Sequence, residues 1–178
     1  SFNTNLYIKQ LRAAFALLAD KQIAKEQSAY MKNLFPFFGI KTPERNAIVK
    51  GFIKEHGLPP FDKLDEVLKA CYKQKEREFH YAAIHLASKF VKQNPKEMVP
   101  LLEFLITNNS WWDSVDSITG NCTLLLFELN PQMLNKLTWK WVKSNNMWLQ
   151  RSAIISQLLF KHKTNEAVLF RNIKALNG

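Results

Sequence analysis

Phe79-His80-Tyr81-Ala82-Ala83-Ile84-His85-Leu86-Ala87-Ser88-Lys89-Phe90 carries Phe79, Ala82, Ala83, Leu86 and Phe90 at the three- and four-residue intervals that lay one apolar stripe along a helix. The pattern predicts a long helix from about residue 75 to 93, stopped by Asn94-Pro95. Its dipeptide Ala83-Ile84 has counterparts in Ala47-Ile48 and Ala153-Ile154, with Ile118 falling between them. Ile48, Ile84, Ile118 and Ile154 are separated by 36, 34 and 36 residues, about the length of a two-helix unit of the HEAT or armadillo kind. That recurrence favours an α-solenoid over a globular bundle. Three residues before each Ile stand Arg45, Tyr81, Val115 and Arg151, and two before stand Asn46, Ala82, Asp116 and Ser152. Equivalent positions in a solenoid line one surface, so Arg45, Asp116 and Arg151 are expected on adjacent inner helices, with a carboxylate between cations.

The composition supports helices joined by short turns. Of 178 residues, 47% are hydrophobic and only 5 are Gly and 7 Pro, which suits an all-α chain with one substantial core and a single domain over 1–178. Helical patterns also cover residues 5–19, 22–34, 62–73, 96–107, 111–129, 132–143, 147–161 and 165–175. Thr42-Pro43-Glu44-Arg45 predicts a helix capped by Thr42 with Pro43 at its first position, closed by Gly57 in a left-handed conformation. No apolar run approaches the roughly 20 residues that cross a bilayer, and the amino end lacks a basic segment followed by an apolar one. A soluble, cytoplasmic monomer without membrane contact is the expectation. Cys71 and Cys122 sit apart in apolar helical contexts and read as buried thiols.

Lys and Arg outnumber Asp and Glu by 25 to 15, a net charge of +10, which makes polyanions natural partners. A basic surface can also serve solubility alone, so the charge by itself leaves both readings open. There is no glycine-rich phosphate loop, His-Glu-x-x-His, Cys-x-x-Cys or Gly-x-Ser-x-Gly pattern, and His56, His80, His85 and His162 are scattered. Nucleotide hydrolysis, zinc chemistry and esterase chemistry therefore lack support, and no metal or other cofactor is expected.

The chemistry is best sought in Ser110-Trp111-Trp112-Asp113-Ser114-Val115-Asp116. Ser110 and Asp113 have the spacing of a capping box, which gives Asp113 a structural role. Asp116 stands one turn further in, where an acid gains little from the helix dipole, and it shares a face with Trp112 four residues earlier. It is a candidate catalytic carboxylate, or else a solvated or paired acid. Of the two adjacent indoles Trp111 is expected in the core and Trp112 toward a ligand. Asn146 caps a further helix that brings Trp148 and Arg151 within one turn. Arg151 either grips a phosphate through its fork or pairs with an acid across the repeat; the register favours phosphate. Tyr30, close to Lys32, is either an aromatic ligand contact or ordinary packing.

At these residues the chain resembles the HEAT-like-repeat DNA glycosylases of the DNA alkylation repair family, the AlkD type. The resemblance rests on Tyr30-Met31-Lys32-Asn33, Gly39-Ile40-Lys41-Thr42-Pro43-Glu44-Arg45, Arg77-Glu78-Phe79, the Trp-Trp-Asp-Ser-Val-Asp block at 111–116, and Asn146-Met147-Trp148-Leu149-Gln150-Arg151. It implies an α-solenoid of HEAT-like repeats whose concave face binds duplex DNA containing alkylated bases. It further implies Asp116 as catalytic carboxylate, Trp112 and Arg151 as active-site residues, Tyr30 facing DNA, and no cofactor; Lys32, Arg45 and Trp148 are the further residues expected to contact DNA. The activity implied is excision of N3- or N7-alkylated purines by a monofunctional glycosylase. Two departures stand out. Family members continue into further carboxy-terminal helices with another active-site aromatic, whereas this sequence stops at Gly178, and Asn46 occupies a place often basic. Two other readings remain: a non-catalytic helical-repeat protein that binds distorted DNA, and a protein scaffold in which Asp116 is paired internally.

Overall fold

Asn3, Asp20 and Asn146 start helices by one device: a short side-chain oxygen accepts from amides that the first turn would leave unbonded. Asn3 Oδ1 accepts from Leu6 N at 2.9 Å, Asp20 Oδ1 from Ile23 N at 2.9 Å, and Asn146 Oδ1 from Trp148 N at 3.0 Å and Leu149 N at 3.2 Å. Three other helices begin with proline in the first turn, at Pro43, Pro95 and Pro131. The computed structural model describes residues 1–160 and 166–177. His162 and the expected helix limits at residues 161 and 165 lie outside them.

The described elements are α1 (Thr4–Leu17), α2 (Lys21–Tyr30), α3 (Thr42–His56), α4 (Phe61–Lys73), α5 (Arg77–Ser88), α6 (Pro95–Thr107), α7 (Trp112–Ile118), a π-helical turn (Thr119–Thr123), α8 (Leu124–Leu129), α9 (Pro131–Val142), α10 (Met147–Leu159) and α11 (Glu166–Asn177). No strand occurs among the described residues, so the all-α expectation holds. None of these helices is long and apolar enough to cross a membrane.

Several boundaries differ from expectation. The helix over 75–93 spans only Arg77–Ser88, and its end tightens into an i to i−3 bond from Phe90 N to Ala87 O at 3.0 Å. Lys41, not Thr42, occupies the cap of α3, and no side chain bonds the orphan amides there. Gly57 does take positive φ, 80°, but with ψ 171°, and its amide reaches Ile53 O at 2.8 Å. The continuous helix expected over 111–129 is interrupted by the π-helical turn, which contains Gly120. The hydroxyls of Thr119 and Thr123 donate to the carbonyls four residues back, at Val115 and Thr119, and so compete with the regular ladder on either side of that glycine.

Contacts within the chain divide it into two compact units, Ser1–Leu86 and Ala87–Gly178. In the first, α1 packs on α3 and α4. Leu11, Phe15, Val49, Phe52, Leu64, Val67, Leu68, Cys71 and Phe79 are buried there, and Phe15 meets the edge of Phe79 at 5.5 Å. In the second, α6 packs on α7, α9 on α10, and α10 on both α6 and α7. Its core holds Met98, Leu102, Leu105, Val115, Ile118, Leu126, Phe127 and Trp141. Cys71 and Cys122 are buried, and burial pushes both thiols up to about 12, so neither is a thiolate near neutrality.

Polar ties at the repeat interval run through the second unit. Glu103 on α6 accepts from Lys140 Nζ (2.7 Å) and Trp141 Nε1 (3.0 Å) on α9, 37 and 38 residues on. Asp116 on α7 pairs with Arg151 on α10, 35 residues on, and Asn135 on α9 accepts from Arg171 on α11, 36 residues on. The period first visible in four isoleucines is thus repeated in side-chain bonding.

Candidate functional site

Trp112 and Trp148 sit at the amino ends of α7 and α10, helices that pack on each other, and Asp116 and Arg151 stand about one turn further along them. Ser110 is not the cap of α7. Its hydroxyl donates backward to Ile106 O at 2.5 Å and so closes α6, while the cap position of α7 is Trp111, without a side-chain bond. The capping box expected from Ser110 and Asp113 therefore does not form. Trp111 is half-buried rather than a core residue, with its ring 5.9 Å from that of Trp148 at 57°. Trp112 is 40% exposed.

Asp116 and Arg151 meet as a two-pronged ion pair. Arg151 Nε donates to Asp116 Oδ1 at 2.8 Å and Nη2 to Oδ2 at 2.7 Å. This geometry matches the planar fork of guanidinium to the two oxygens of a carboxylate. The bond to Asp116 raises the already high pKa of Arg151 further. Of the two roles open to Arg151 in the sequence, pairing with an acid across the repeat is the one seen here. Both side chains keep substantial access to water, 35% for Asp116 and 42% for Arg151. An exposed pair of this kind is worth only about 0–1 kcal/mol. The carboxylate is therefore oriented but lightly held, and a stronger anionic partner can draw the guanidinium away.

In the first unit, Tyr30 ends α2 with 73% of its surface exposed, and exposed Lys32 follows at φ 54° with Asn33 at φ 58°. Two successive left-handed non-glycine residues are uncommon, and the bonds from Lys32 N to Ala29 O (3.0 Å) and Asn33 N to Ser28 O (2.7 Å) hold the turn. Arg45 on α3 stacks over the Tyr81 ring, its guanidinium carbon 4.0 Å from the centroid. Tyr30, Lys32 and Arg45 belong to this unit, and Asp116, Trp112, Trp148 and Arg151 to the other.

The Arg77-Glu78 dipeptide has a role the sequence did not reveal. Both residues are fully buried. The two Glu78 oxygens accept from Phe38 N and Gly39 N, each at 3.0 Å, and the Arg77 guanidinium lies 3.7 Å over the Phe35 ring and 3.0 Å from His80 Nδ1. Burial raises the Glu78 pKa, against the opposing pull of the two backbone amides and of Arg45. The pair thus anchors the segment that follows Tyr30 and Lys32. Gly39, at φ 91°, allows the approach: a Cβ there would stand 1.9 Å from Asp20 O and 2.6 Å from Ala24 N.

A basic-aromatic cluster in the second unit was also missed. Trp139 on α9 has Lys143 Nζ at 4.2 Å and the Arg171 guanidinium at 4.2 Å from its centroid. The signal was present as Trp139 and Lys143 one turn apart, but Arg171 on another helix completes it.

Three comparisons bear on this arrangement. Residues 11–178 match the sequence model of a family described as DNA alkylation repair enzyme. A solved structure described as a predicted DNA alkylation repair enzyme from Enterococcus faecalis is similar at 34% identity and a TM-score of 0.80, over 87% of this chain and 72% of that one. Curated proteins gave no match.

Proposed function

This chain belongs to the DNA alkylation repair enzyme family, and from that premise we propose that it is a monofunctional glycosylase releasing N3- or N7-alkylated purines from duplex DNA. The observation that carries the proposal is the lightly held carboxylate of Asp116, oriented by Arg151 beside the exposed Trp112. An N3- or N7-alkylated purine is already cationic, so it leaves without a general acid and one carboxylate suffices. As the bond from C1′ to the base nitrogen breaks, positive charge develops on the deoxyribose, where Asp116 stabilises it. Water then supplies the oxygen bonded to C1′ and loses a proton to Asp116 or to solvent. The products are free base and an abasic site.

In this scheme a DNA phosphate takes the Arg151 fork and so leaves the Asp116 carboxylate uncompensated beside the developing cation. Losing an exposed ion pair costs about 0–1 kcal/mol, while a charge-assisted bond to phosphate replaces it. Trp112 and Trp148 pack against the sugar or shield it from bulk water. Tyr30, Lys32 and Arg45 contact DNA from the first unit. Among the described residues no lysine pairs with Asp116, which favours hydrolysis without strand cleavage.

One observation favours the second reading, a non-catalytic binder of distorted duplexes: in the free chain each carboxylate oxygen of Asp116 accepts a bond from Arg151. Release of free 7-methylguanine from alkylated duplex DNA, followed across salt concentrations, separates the two. The glycosylase reading expects turnover that declines with salt as phosphate contacts weaken. DNA binding without base release favours the binder.

A further inference from the structure

A groove of about 640 Å³ lies between α6 and α9 of the second unit, lined by Lys96, Val99, Gln132, Met133, Leu137 and two further lysines, Lys136 and Lys140. It shares no residue with the candidate site on α7 and α10. Its volume falls in the range of ligand-holding clefts. The lining divides by chemistry. Val99 and Met133, both half-buried, and buried Leu137 form an apolar floor, and the exposed ammonium groups of Lys96, Lys136 and Lys140 form a cationic rim. No carboxylate is among the lining residues. Lys140 shows what the rim accepts: its Nζ already holds Glu103 Oε1 at 2.7 Å. Lys96 and Lys136 form no ion pair with any described residue.

We infer that this groove binds an amphipathic helix of a partner protein, one that inserts apolar side chains between α6 and α9 and sets Asp or Glu against Lys96 and Lys136. Charge complementarity and the mixed lining decide the class. A phosphate backbone would satisfy the lysines but offers nothing to Val99, Met133 and Leu137, whereas an acidic amphipathic helix engages floor and rim together. Met133 suits such a floor because its unbranched thioether repacks around different apolar side chains. The inference does not depend on the catalytic reading, since the groove and the ion pair are on different helices.

The four methionines give separate reporters in one methyl-labelled sample. Met133 lies in the groove, Met147 opens α10 beside the candidate site, and Met31 and Met98 are buried. The probe is a synthetic helical peptide of about 16 residues, with Leu at i, i+3, i+4 and i+7 and Glu on both flanks. Expected is a saturable shift of the Met133 methyl resonance with Met147 unmoved. Replacing the peptide's Glu by Lys should abolish it, and Lys96→Glu with Lys136→Glu should weaken it about tenfold or more while the circular dichroism of the protein stays unchanged. The inference is overturned by no Met133 shift, by equal binding of the Glu and Lys peptides, or by indifference to the double substitution. A Met133 shift with duplex DNA or with anionic phospholipid vesicles that the Glu peptide does not match would assign the groove to nucleic acid or membrane instead. Loss of base-excision activity in Asp116→Asn would leave this result untouched.

Discussion

Asp116→Asn should reduce single-turnover release of 7-methylguanine by about 10²–10³-fold while leaving the protein folded. The rate loss follows from removing a preoriented charge that faces a developing charge, worth about 3–4 kcal/mol in the transition state. The stability loss is much smaller. Asp116 and Arg151 retain 35% and 42% of their side-chain exposure, so their pairing contributes about 1 kcal/mol or less, and Asn still offers Arg151 one acceptor oxygen. The substitution also releases the Arg151 fork, so affinity for undamaged duplex should hold or rise. Three measurements on one preparation check this: base release under excess enzyme, duplex affinity by fluorescence anisotropy, and the thermal midpoint. Excision within about threefold of the parent, with folding intact, would refute the role given to the carboxylate. A parallel fall in excision and thermal midpoint would instead identify the pair as structural.

Other substitutions probe single links. Arg151→Gln should flatten the slope of log affinity against log salt by about 0.9, the loss of one phosphate contact, as read by anisotropy titrations. Trp112→Ala, at an exposed position, should slow excision by about tenfold or more and shift the urea midpoint little. Gly39→Ala meets both positive φ and backbone 1.9 Å away, and should cost about 3 kcal/mol or more in urea unfolding. Glu76 and Glu78 should show opposite pH dependence. The hydrogen bond from Arg12 lowers the Glu76 pKa, so its stabilisation is present above the usual carboxylate range and lost as pH falls through the depressed value; Glu76→Gln should cost most near neutrality. Burial raises the Glu78 pKa, so the folded state binds that proton more tightly and stability declines as pH rises through the raised value. The deficit of Glu78→Gln should therefore be largest in acid and shrink as pH rises, in unfolding curves taken at several pH values.

The helical class and the repeat interval were legible because they depend on periodicity, which local sequence carries directly. The interval even linked Asp116 to Arg151, since positions near 35 residues apart fall on neighbouring helices. What it could not specify was the partner of Arg151, because a fork that fits phosphate fits carboxylate equally well. The misread cap has a similar origin. In the short link between α6 and α7 the hydroxyl of Ser110 can serve either helix, and it bonds Ile106 O. Glu78 was unreadable for another reason: the Phe38 and Gly39 amides that satisfy it come from a segment about 40 residues away with no periodicity of its own. The π-helical turn did leave a mark, in Gly120 between two threonines, but an apolar stripe runs through such a turn without a break large enough to see.

The polar ties of the second unit also bear on how chains of this kind can change length. Glu103 to Lys140, Asp116 to Arg151 and Asn135 to Arg171 each join side chains 35 to 37 residues apart. Duplicating the period that carries Glu103, Asp116 and Asn135 therefore leaves Lys140, Arg151 and Arg171 each one interval after a copy of its own acceptor, since neighbouring repeats interact mainly with each other. Adding one residue inside α9 does not: it turns every later side chain of that helix by about 100° and separates Lys140 and Trp141 from Glu103. Growth by whole units is thus tolerated and growth by single residues penalised, a length rule set by hydrogen bonding as well as by the core.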